Sequence, residues 1–427
     1  MMVLSKSPRL RFLTGATLYF AQGIPRGLLN VAMPAWLASQ GLGAGAIASY
    51  LAIIILPWVF KLFWGPLMDR FQFPAMGLRR PWILGAQFGM SIALCSLVWV
   101  EDPMQQLGLM TALATLIQAF ASIQDVATDG MAIDLVPEEE HGRINGFMTF
   151  GKAIGWASAA AVSGVFLTQV GLGTTALLAG AVSLLVFFWF LFVTEREGER
   201  LLPWSDGEHA DDVAEPPTVK FLLGALNQVL WSRTSVIVTL VLFFFGLMSG
   251  YGDALMPIAA IKLFGMSTGE WSNLVAVMGL LGAFIAVCLG PLIDRFGIKK
   301  TSMISVVLIF AHSLLLALTE HLWVNEDYVL VMLAVWVLLD PVTMVCAIAI
   351  GMSICTKRIS ATQFAVYMSA ANLGASLGSK LFGQLSVTFT AGFFHPCGGG
   401  FISKAGSGVT RTSIARAYPL PDDIAKK

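Results

Sequence analysis

Five ionisable residues lie inside long apolar stretches of the chain: Arg26, Asp125, Asp129, Asp253 and Asp340. A charged side chain in the middle of a membrane-spanning helix costs about 2.5–3.5 kcal/mol on insertion scales, so each of them requires a reason. An arginine guanidinium binds a carboxylate or a phosphate through two parallel hydrogen bonds. A carboxylate in apolar surroundings exchanges a proton when those surroundings change. These residue types therefore predict anion binding combined with proton uptake.

Arg26, Asp253 and Asp340 each lie next to a proline or one turn from one. The prolines are Pro25, Pro257 and Pro341. Interrupted helices expose backbone groups that hold small molecules or ions, so we predict that the three charges share one aqueous pocket. Lys152 and Lys380 are expected to reach the same pocket from neighbouring spans. The alternative is a buried Arg–Asp pair that only locks helices together.

Asp125 and Asp129 are four residues apart and so lie on one helix face. Both are expected near one mouth of the pocket, where Asp125 serves either the pocket or a latch. Asp129 and Asp134 are interpreted as latch residues that pair with nearby arginines. Lys61 is interpreted as a side chain that extends to the membrane interface.

These residues must be positioned by membrane-spanning helices. The chain of 427 residues is 56% hydrophobic and only 12% charged, whereas soluble domains carry about 25% charged residues. A helix needs about 20 mostly apolar residues to cross a bilayer. Eleven stretches meet this length: 11–38, 45–66, 81–100, 104–133, 143–169, 172–193, 234–261, 270–293, 301–319, 328–355 and 360–390. The predicted fold class is therefore an all-α polytopic membrane protein.

The spans group into two halves. Residues 1–193 form an N-terminal bundle of six spans, and residues 234–390 form a C-terminal bundle of five. The linker 194–233 is polar and ends in an apolar run too short to span, which predicts a helix on the membrane surface. Residues 391–427 have three consecutive glycines and no spanning run, which predicts an aberrant tail instead of a twelfth helix.

The distribution of basic residues predicts the orientation. With a cytoplasmic N-terminus, sixteen Lys and Arg residues up to residue 390 lie on the inner side and only Lys262 lies outside. A bacterial inner membrane is the expected location.

One short motif occurs in both halves. Gly65-Pro66-Leu67-Met68-Asp69-Arg70-Phe71 is matched at six of seven positions by Gly290-Pro291-Leu292-Ile293-Asp294-Arg295-Phe296. Basic pairs follow both copies, Arg79-Arg80 in the first half and Lys299-Lys300 in the second. A doubled half is a recurrent plan of transport proteins.

The Gly-x-x-x-Asp-Arg repeat resembles motif A of the major facilitator superfamily. The run Phe60 to Arg70 and the residues Gln124-Asp125-Val126-x-x-Asp129-Gly130 are similar to the peptide, acetyl-CoA and drug transporter branch. That branch includes AmpG-type muropeptide permeases and is related to siderophore importers. The resemblance covers about residues 10–390.

The resemblance implies a two-bundle fold on a 6+6 plan, with the twelfth helix missing or aberrant, and a central cavity worked by alternating access. It also implies a cytoplasmic gate. The gate residues would be Gly65, Asp69, Arg70, Arg79, Arg80, Asp129, Asp134, Gly290, Asp294 and Arg295.

Several function classes find no support. The sequence has no P-loop, no HExxH, no GxSxG and no Cys/His metal cluster, so no enzyme activity, cofactor or metal is expected. The formal net charge of zero argues against a nucleic-acid partner.

We therefore predict a monomeric secondary transporter that moves a small anionic or zwitterionic solute by proton-coupled symport. The alternatives are a drug/proton antiporter and a membrane receptor that transports nothing.

Overall fold

A computed structural model provides the fold. It describes residues 2–71, 73–137, 140–202, 204, 224, 227, 230–288, 296–354 and 360–401. The described chain is helical almost throughout. The one sheet among these residues is a parallel pair of two-residue strands, β1 (Met2–Val3) and β2 (Val193–Thr194), in which Met2 is opposite Val193.

The α-helices follow the two predicted halves. The first half contains α1 (Pro8–Pro25), α2 (Met33–Ser39), α3 (Ala44–Ile54), α4 (Leu56–Val59), α5 (Lys61–Arg70), α6 (Arg80–Ser96), α7 (Leu107–Leu135), α8 (His141–Gln169) and α9 (Gly171–Leu191). The second half contains α10 (Arg233–Ile258), α11 (Thr268–Cys288), α12 (Ile298–Leu318), α13 (Glu326–Ser353) and α14 (Ser360–Phe401). Short 3-10 helices occur at Leu4–Lys6, Pro74–Met76, Leu97–Trp99 and Glu320–Leu322, and π-helices at Arg26–Ala32 and Ala259–Leu263.

Eight helical segments of the described chain are long and apolar enough to cross a membrane. They are Ala44–Gly65, Arg80–Trp99, Leu107–Leu135, Gly146–Gln169, Gly171–Leu191, Arg233–Leu263, Thr268–Ile285 and Lys299–Leu318. The predicted spans 11–38 and 360–390 are helical as well, and the predicted span 328–355 is helical up to Ser353. The all-α polytopic fold class is therefore confirmed.

The predicted span 45–66 agrees with the segment Ala44–Gly65, within which turns at Ile55 and Phe60 separate α3, α4 and α5. One predicted boundary needs correction. The last helix does not end at residue 390 but continues to Phe401. Residues 402–427 and most of the predicted surface helix at 219–231 lie outside the described residues.

By its internal packing the chain forms two compact units, Met1–Gly383 and Gln384–Lys427. The first unit contains both halves. The second is described here only over the end of α14.

Polar residues mark where two of the long helices begin. Ser7 accepts a hydrogen bond from the backbone N–H of Leu10 at 3.3 Å, and Pro8 occupies the first turn, where no N–H is needed. Ser232 caps α10 in the same way by accepting from Ser235 at 3.2 Å. These caps replace hydrogen bonds that a helix terminus otherwise lacks.

The same close helix contact recurs in both halves. In the first half, α8 meets α1 so closely that a Cβ on Gly151 would overlap the carbonyl oxygen of Ala16. In the second half, a Cβ on Gly374 would overlap the carbonyl oxygen of Phe243, where α14 meets α10. Small residues permit such backbone approach between membrane helices. The two helix pairs α1–α8 and α10–α14 therefore use the same kind of close glycine contact.

Four hydrogen bonds between described residues join the two halves. Lys262 Nζ donates to the carbonyl of Leu42, and Thr268 Oγ1 lies 3.4 Å from Ser39 Oγ. The other two run from α14 to the first half: Ser376 donates to Ala52 O at 2.7 Å and Asn372 to Trp58 O at 3.2 Å. The first two contacts lie at the end of the molecule that bears Ser39. The other two lie along α14, opposite α3 and α4.

Candidate functional site

Three charges from the two halves act on one another in the centre of the molecule. Arg26 comes from the first half, and Asp253 and Asp340 come from α10 and α13. Electrostatic interaction links Asp253 with Asp340, and each of them with Arg26. We call these three residues the central triad.

The central triad is open to solvent. Arg26 and Asp253 are exposed and Asp340 is half-buried, although all three lie well inside their helices. Within the part of the chain that the structure describes, none of the three side chains forms an ion pair or a hydrogen bond with another protein group. The Arg26 guanidinium lies 5.7 Å from the ring centroid of Trp156, within cation–π distance. The triad is therefore accessible to a ligand.

A second charged group lies within the first half. Asp125 is almost completely buried in α7, and its carboxylate forms ion pairs with Lys61 of α5 and, at 3.6 Å, with Lys152 of α8. Tyr19 of α1 donates a hydrogen bond to Asp129, one turn after Asp125. We call Tyr19, Lys61, Asp125, Asp129 and Lys152 the Asp125 cluster.

Aromatic rings cover the two lysines of the Asp125 cluster. The Lys152 ammonium lies 5.2 Å from the centroid of Tyr19 and 5.3 Å from that of Trp58, and Lys61 lies 5.4 Å from Trp58. The charges of Arg26 and Lys61 both act on Lys152. Lys152 therefore connects the Asp125 cluster electrostatically to the central triad.

A buried amide chain fixes the helices around these charges. Gln124 of α7 accepts from Gln22 of α1 at 3.0 Å and donates to Gln87 of α6 at 3.0 Å. Gln87 in turn donates to the Ser183 hydroxyl of α9 at 3.0 Å. Because buried amides must be paired, this chain restricts the rotation of α1 and α7 and so sets where Arg26 and Asp125 point.

The helices that carry Arg26 and Asp253 change geometry close to them. The π-helix Arg26–Ala32 begins directly after Pro25, and the π-helix Ala259–Leu263 begins two residues after Pro257. Proline removes a backbone donor and so disturbs the hydrogen-bond ladder of a helix. The prediction of interrupted helices needs correction at Asp340, because α13 continues through Pro341 without a break.

A family comparison identifies the chain. The model for the Major Facilitator Superfamily matches residues 15–379. The chain belongs to this superfamily. It is therefore an integral membrane protein and a secondary transporter.

Two relatives indicate the branch within the Major Facilitator Superfamily. The chain is 25% identical over 368 residues to the anhydromuropeptide permease of Escherichia coli (strain K12). The alignment covers 83% of this chain and 70% of the relative. It is 22% identical over 363 residues to the putative transporter AmpG 4 of Rickettsia conorii, covering 82% of this chain and 84% of the relative. The resemblance to AmpG-type permeases is confirmed.

Solved structures of two transporters share the fold. A D-xylose-proton symporter matches with a TM-score of 0.66 at 14% identity, covering 88% of this chain and 90% of that chain. The nucleoside transporter NupG matches with a TM-score of 0.64 at 12% identity, covering 89% and 91%. At these identities the comparison concerns the fold alone.

The structure brings together one of the expected gate pairs and not another. Arg79 Nε lies 3.1 Å from Asp134 Oδ2, as expected for Asp134, at the end of α7. Asp129 does not pair with Arg79 or Arg80, because Tyr19 of α1 stands next to its carboxylate. Lys61 does not extend to the interface as interpreted, because Asp125 lies within reach and the pairing neutralises both charges.

Arg80 and Glu195 cap two neighbouring helix ends. Arg80 caps the C-terminal end of α9, and Glu195 caps the N-terminal end of α6. Arg80 is fully buried and donates to the carbonyls of Leu191 and Val193 at the end of α9, at 2.7 Å and 2.6 Å. The Glu195 carboxylate accepts from the backbone N–H groups of Leu78, Arg79 and Arg80 at 2.5–3.0 Å. Helix ends lack backbone partners, and each side chain supplies them with the favourable charge. Arg80 is therefore a structural link here and not a latch.

We call residues 77–80 and 193–199 the clasp. Gly77 has a φ of +102°, and a Cβ there would lie 2.9 Å from the Glu195 carboxyl, so glycine is required on both counts. Burial raises the pKa of Glu195. Burial and the neighbouring Glu195 raise the pKa of Glu199 to about 7.

The remaining predicted residues are less engaged. Lys380 is exposed on α14 and has no partner among the described residues. Gly65 lies in α5 with open space where a Cβ would stand. The side chains of Asp69 and Arg70, and the whole of Gly290, Asp294 and Arg295, lie outside what the structure describes, so their gate role stays a prediction.

Sequence reasoning missed the polar residues that position the charges. Gln22, Gln87 and Gln124 each interrupt an apolar run, as does Tyr19, and Glu195 follows directly after the sixth span. A polar side chain in a membrane span is expensive, and that signal, applied to neutral amides as well as to charges, would have identified the amide chain.

Proposed function

We propose that this transporter moves a small anionic or zwitterionic solute by proton-coupled symport, with the central triad as the binding site. The observation that carries the proposal is the electrostatic interaction of Arg26 with Asp253 and Asp340 across the two halves, where none of the three forms an ion pair or hydrogen bond with a described residue. A site formed from both halves is one that alternating access opens to each side in turn.

The chemistry of coupling follows from the charges. Arg26 anchors a carboxylate or phosphate of the cargo through its two-pronged guanidinium. While the site is empty, Arg26 favours the ionised forms of Asp253 and Asp340. A bound anion neutralises Arg26, so the two acids, which also repel one another, then favour uptake of a proton. Cargo and proton therefore enter the site together.

The names of the relatives suggest the kind of cargo. A muropeptide combines a sugar with a short peptide and so presents carboxylates, an amino group and a flat sugar face. Arg26 suits the carboxylates, the acidic pair suits an amino group, and Trp156 below Arg26 suits the sugar face. We propose a peptidoglycan fragment of this kind as the cargo.

The proposal includes location and state. The chain is taken to be a monomer in a bacterial inner membrane with its N-terminus in the cytoplasm, as the basic residues predict.

Uptake by reconstituted protein tests the proposal. Proteoliposomes receive labelled muropeptides, siderophores, nucleotides and lipophilic cations, with and without an inward proton gradient. We expect muropeptide accumulation that depends on the gradient. In Asp253→Asn, accumulation driven by the proton gradient should be lost. Net movement of cargo down its own concentration gradient should remain.

Asp327→Asn, at the exposed start of α13, is the matched control and should transport normally. Full uptake by Asp253→Asn with unchanged pH dependence would exclude Asp253 from the proton path. Transport of lipophilic cations alone would favour the antiporter, and flux of nothing in the panel would favour the receptor.

A further inference from the structure

An apolar groove runs between α1 and α8 on the first half. It has a volume of about 490 Å³. Its walls include Phe12, Leu13 and Phe20 of α1, and Phe147, Phe150 and Ile154 of α8. Leu13, Phe147 and Phe150 are exposed, and the rings of Phe12 and Phe147 stack with centroids 5.2 Å apart.

The groove faces away from the transport site. Successive residues of an α-helix are about 100° apart, so Ile154 projects about 200° from Lys152. Phe150 and Phe147 lie four and seven residues before Ile154 and so share its face. Lys152 belongs to the Asp125 cluster in the interior of the first half. The groove therefore opens on the outer surface of the bundle, where the hydrocarbon of the bilayer lies.

Two arginines stand at one end of the groove. Arg9 lines it, one turn before Phe12 and Leu13. Arg143 lies one turn before Phe147 on the same face of α8. Both are exposed, and neither forms an ion pair with a described residue. The nearest described acid in sequence, Glu140, is already paired with Arg11 at 2.7 Å.

We propose that this groove binds an anionic phospholipid, with one acyl chain along the phenylalanines and the phosphate between Arg9 and Arg143. The reason is charge complementarity. Two arginines without an ion pair among the described residues lie at headgroup level, above an apolar channel, and match a lipid that has a phosphate above a chain. Basic pockets between membrane helices bind anionic headgroups in this way. The site does not depend on which solute the protein carries.

Lipid binding to the purified full chain tests the proposal directly. Native mass spectrometry in detergent counts bound phosphatidylglycerol and phosphatidylcholine during titration with each lipid. Wild-type protein should bind one phosphatidylglycerol preferentially. Arg9→Gln/Arg143→Gln should bind it roughly tenfold more weakly or worse, because each arginine near an anionic headgroup contributes to the attraction.

Two further variants keep the result interpretable. Lys299→Gln/Lys300→Gln removes the same charge from exposed positions of the second half and should bind phosphatidylglycerol like the wild type. Ile154→Trp fills the groove and should lower binding while Arg9 and Arg143 remain. Both readouts are independent of transport, so a failure of the proposed cargo would leave this test unaffected.

Several outcomes would overturn the proposal. Equal affinity for phosphatidylcholine would remove the role of the arginines. An equal loss in the lysine control would indicate general surface charge. Concentration-dependent dimers that dissociate in Ile154→Trp, without loss of lipid, would assign the groove to a second copy of this chain.

Discussion

At the scale of single residues, Asp125 is a buried acid on which two lysines of the first half depend. It is 4% exposed in its side chain and faces two lysines from different helices. A buried carboxylate between two ammonium groups is satisfied only while all of them remain, because each charge compensates the desolvation of the others. Asp125 therefore holds α5, α7 and α8 together as well as connecting to the triad through Lys152.

Asp125→Asn should destabilise the protein by about 3–5 kcal/mol, because Lys61 and Lys152 lose their counter-charge in a half-buried site. The measurement is thermal unfolding in detergent. Lys61→Met/Asp125→Asn should recover part of the loss, since one uncompensated cation is then absent.

Asp134→Asn is the matched control. It breaks the more exposed pair with Arg79 and should change the free energy of unfolding by no more than about 1 kcal/mol. Equal effects of Asp125→Asn and Asp134→Asn would show that burial is not what makes the Asp125 cluster important.

Glu199 makes the clasp sensitive to pH. Its pKa is raised from 4.5 to about 7 in the folded protein. The folded state therefore binds the proton more tightly than the unfolded state, so the stability contributed by this proton is present below the unfolded pKa and is lost as pH rises through about 7. Glu199→Gln should reduce the fall in unfolding temperature between about pH 5 and about pH 8.

Glu197→Gln serves as the control for Glu199→Gln, because Glu197 is exposed and pairs only at the surface with Lys6. It should leave the slope with pH as it is. If Glu199→Gln also left the slope unchanged, the proton would have to be assigned to another group.

At the scale of elements, contact between α1 and α8 depends on glycine. A Cβ on Gly155 would overlap the carbonyl oxygen of Phe20, so the two helices could not keep their separation. Gly146 lies on the same helix with open space around its Cα.

Gly155→Ala should therefore destabilise the protein by roughly 1–3 kcal/mol, as overpacking does. Gly146→Ala should stabilise it by up to about 1 kcal/mol through helix propensity alone. Chemical unfolding of both variants measures the difference. Loss of stability in both, or in neither, would mean that the backbone contact does not limit this helix pair.

At the scale of the whole molecule, the halves touch at the end that carries Ser39 and Thr268. Their hydroxyl oxygens are 3.4 Å apart, and Lys262 bonds across the same boundary. Alternating access requires this boundary to open during each cycle. The structure therefore represents the state that is closed at this end.

A disulfide across this boundary should stop transport. In a background without the native cysteines, Ser39→Cys/Thr268→Cys places two sulfurs within reach of a bond, and oxidation should abolish uptake in proteoliposomes. A reductant should restore uptake, and each single cysteine should transport normally. Full uptake by the oxidised double variant would contradict a moving boundary here.

Much of the fold was accessible from the sequence. The apolar spans predicted helices because the backbone N–H and C=O groups of a segment inside a bilayer can form hydrogen bonds only with other backbone groups. The doubled Gly-x-x-x-Asp-Arg motif predicted two related halves, and close glycine contacts occur between α1 and α8 and between α10 and α14. Helix bends and the true end of α14 were not predicted, because boundaries depend on local packing.

The sequence by itself determined which helices carry charge. Charged residues such as Arg26, Asp125, Asp253 and Asp340 can be recognised in apolar spans whichever way the helix is rotated, because placing a charge in a membrane costs free energy. Only the tertiary structure decided which of them meet. Rotating a helix by one residue moves each side chain by about 100°, and here the amide chain from Gln22 to Ser183 and the glycine contacts choose the rotation. That choice paired Lys61 with Asp125 and Tyr19 with Asp129, and it left Arg26 without an ion pair to any described residue, within electrostatic reach of Asp253 and Asp340.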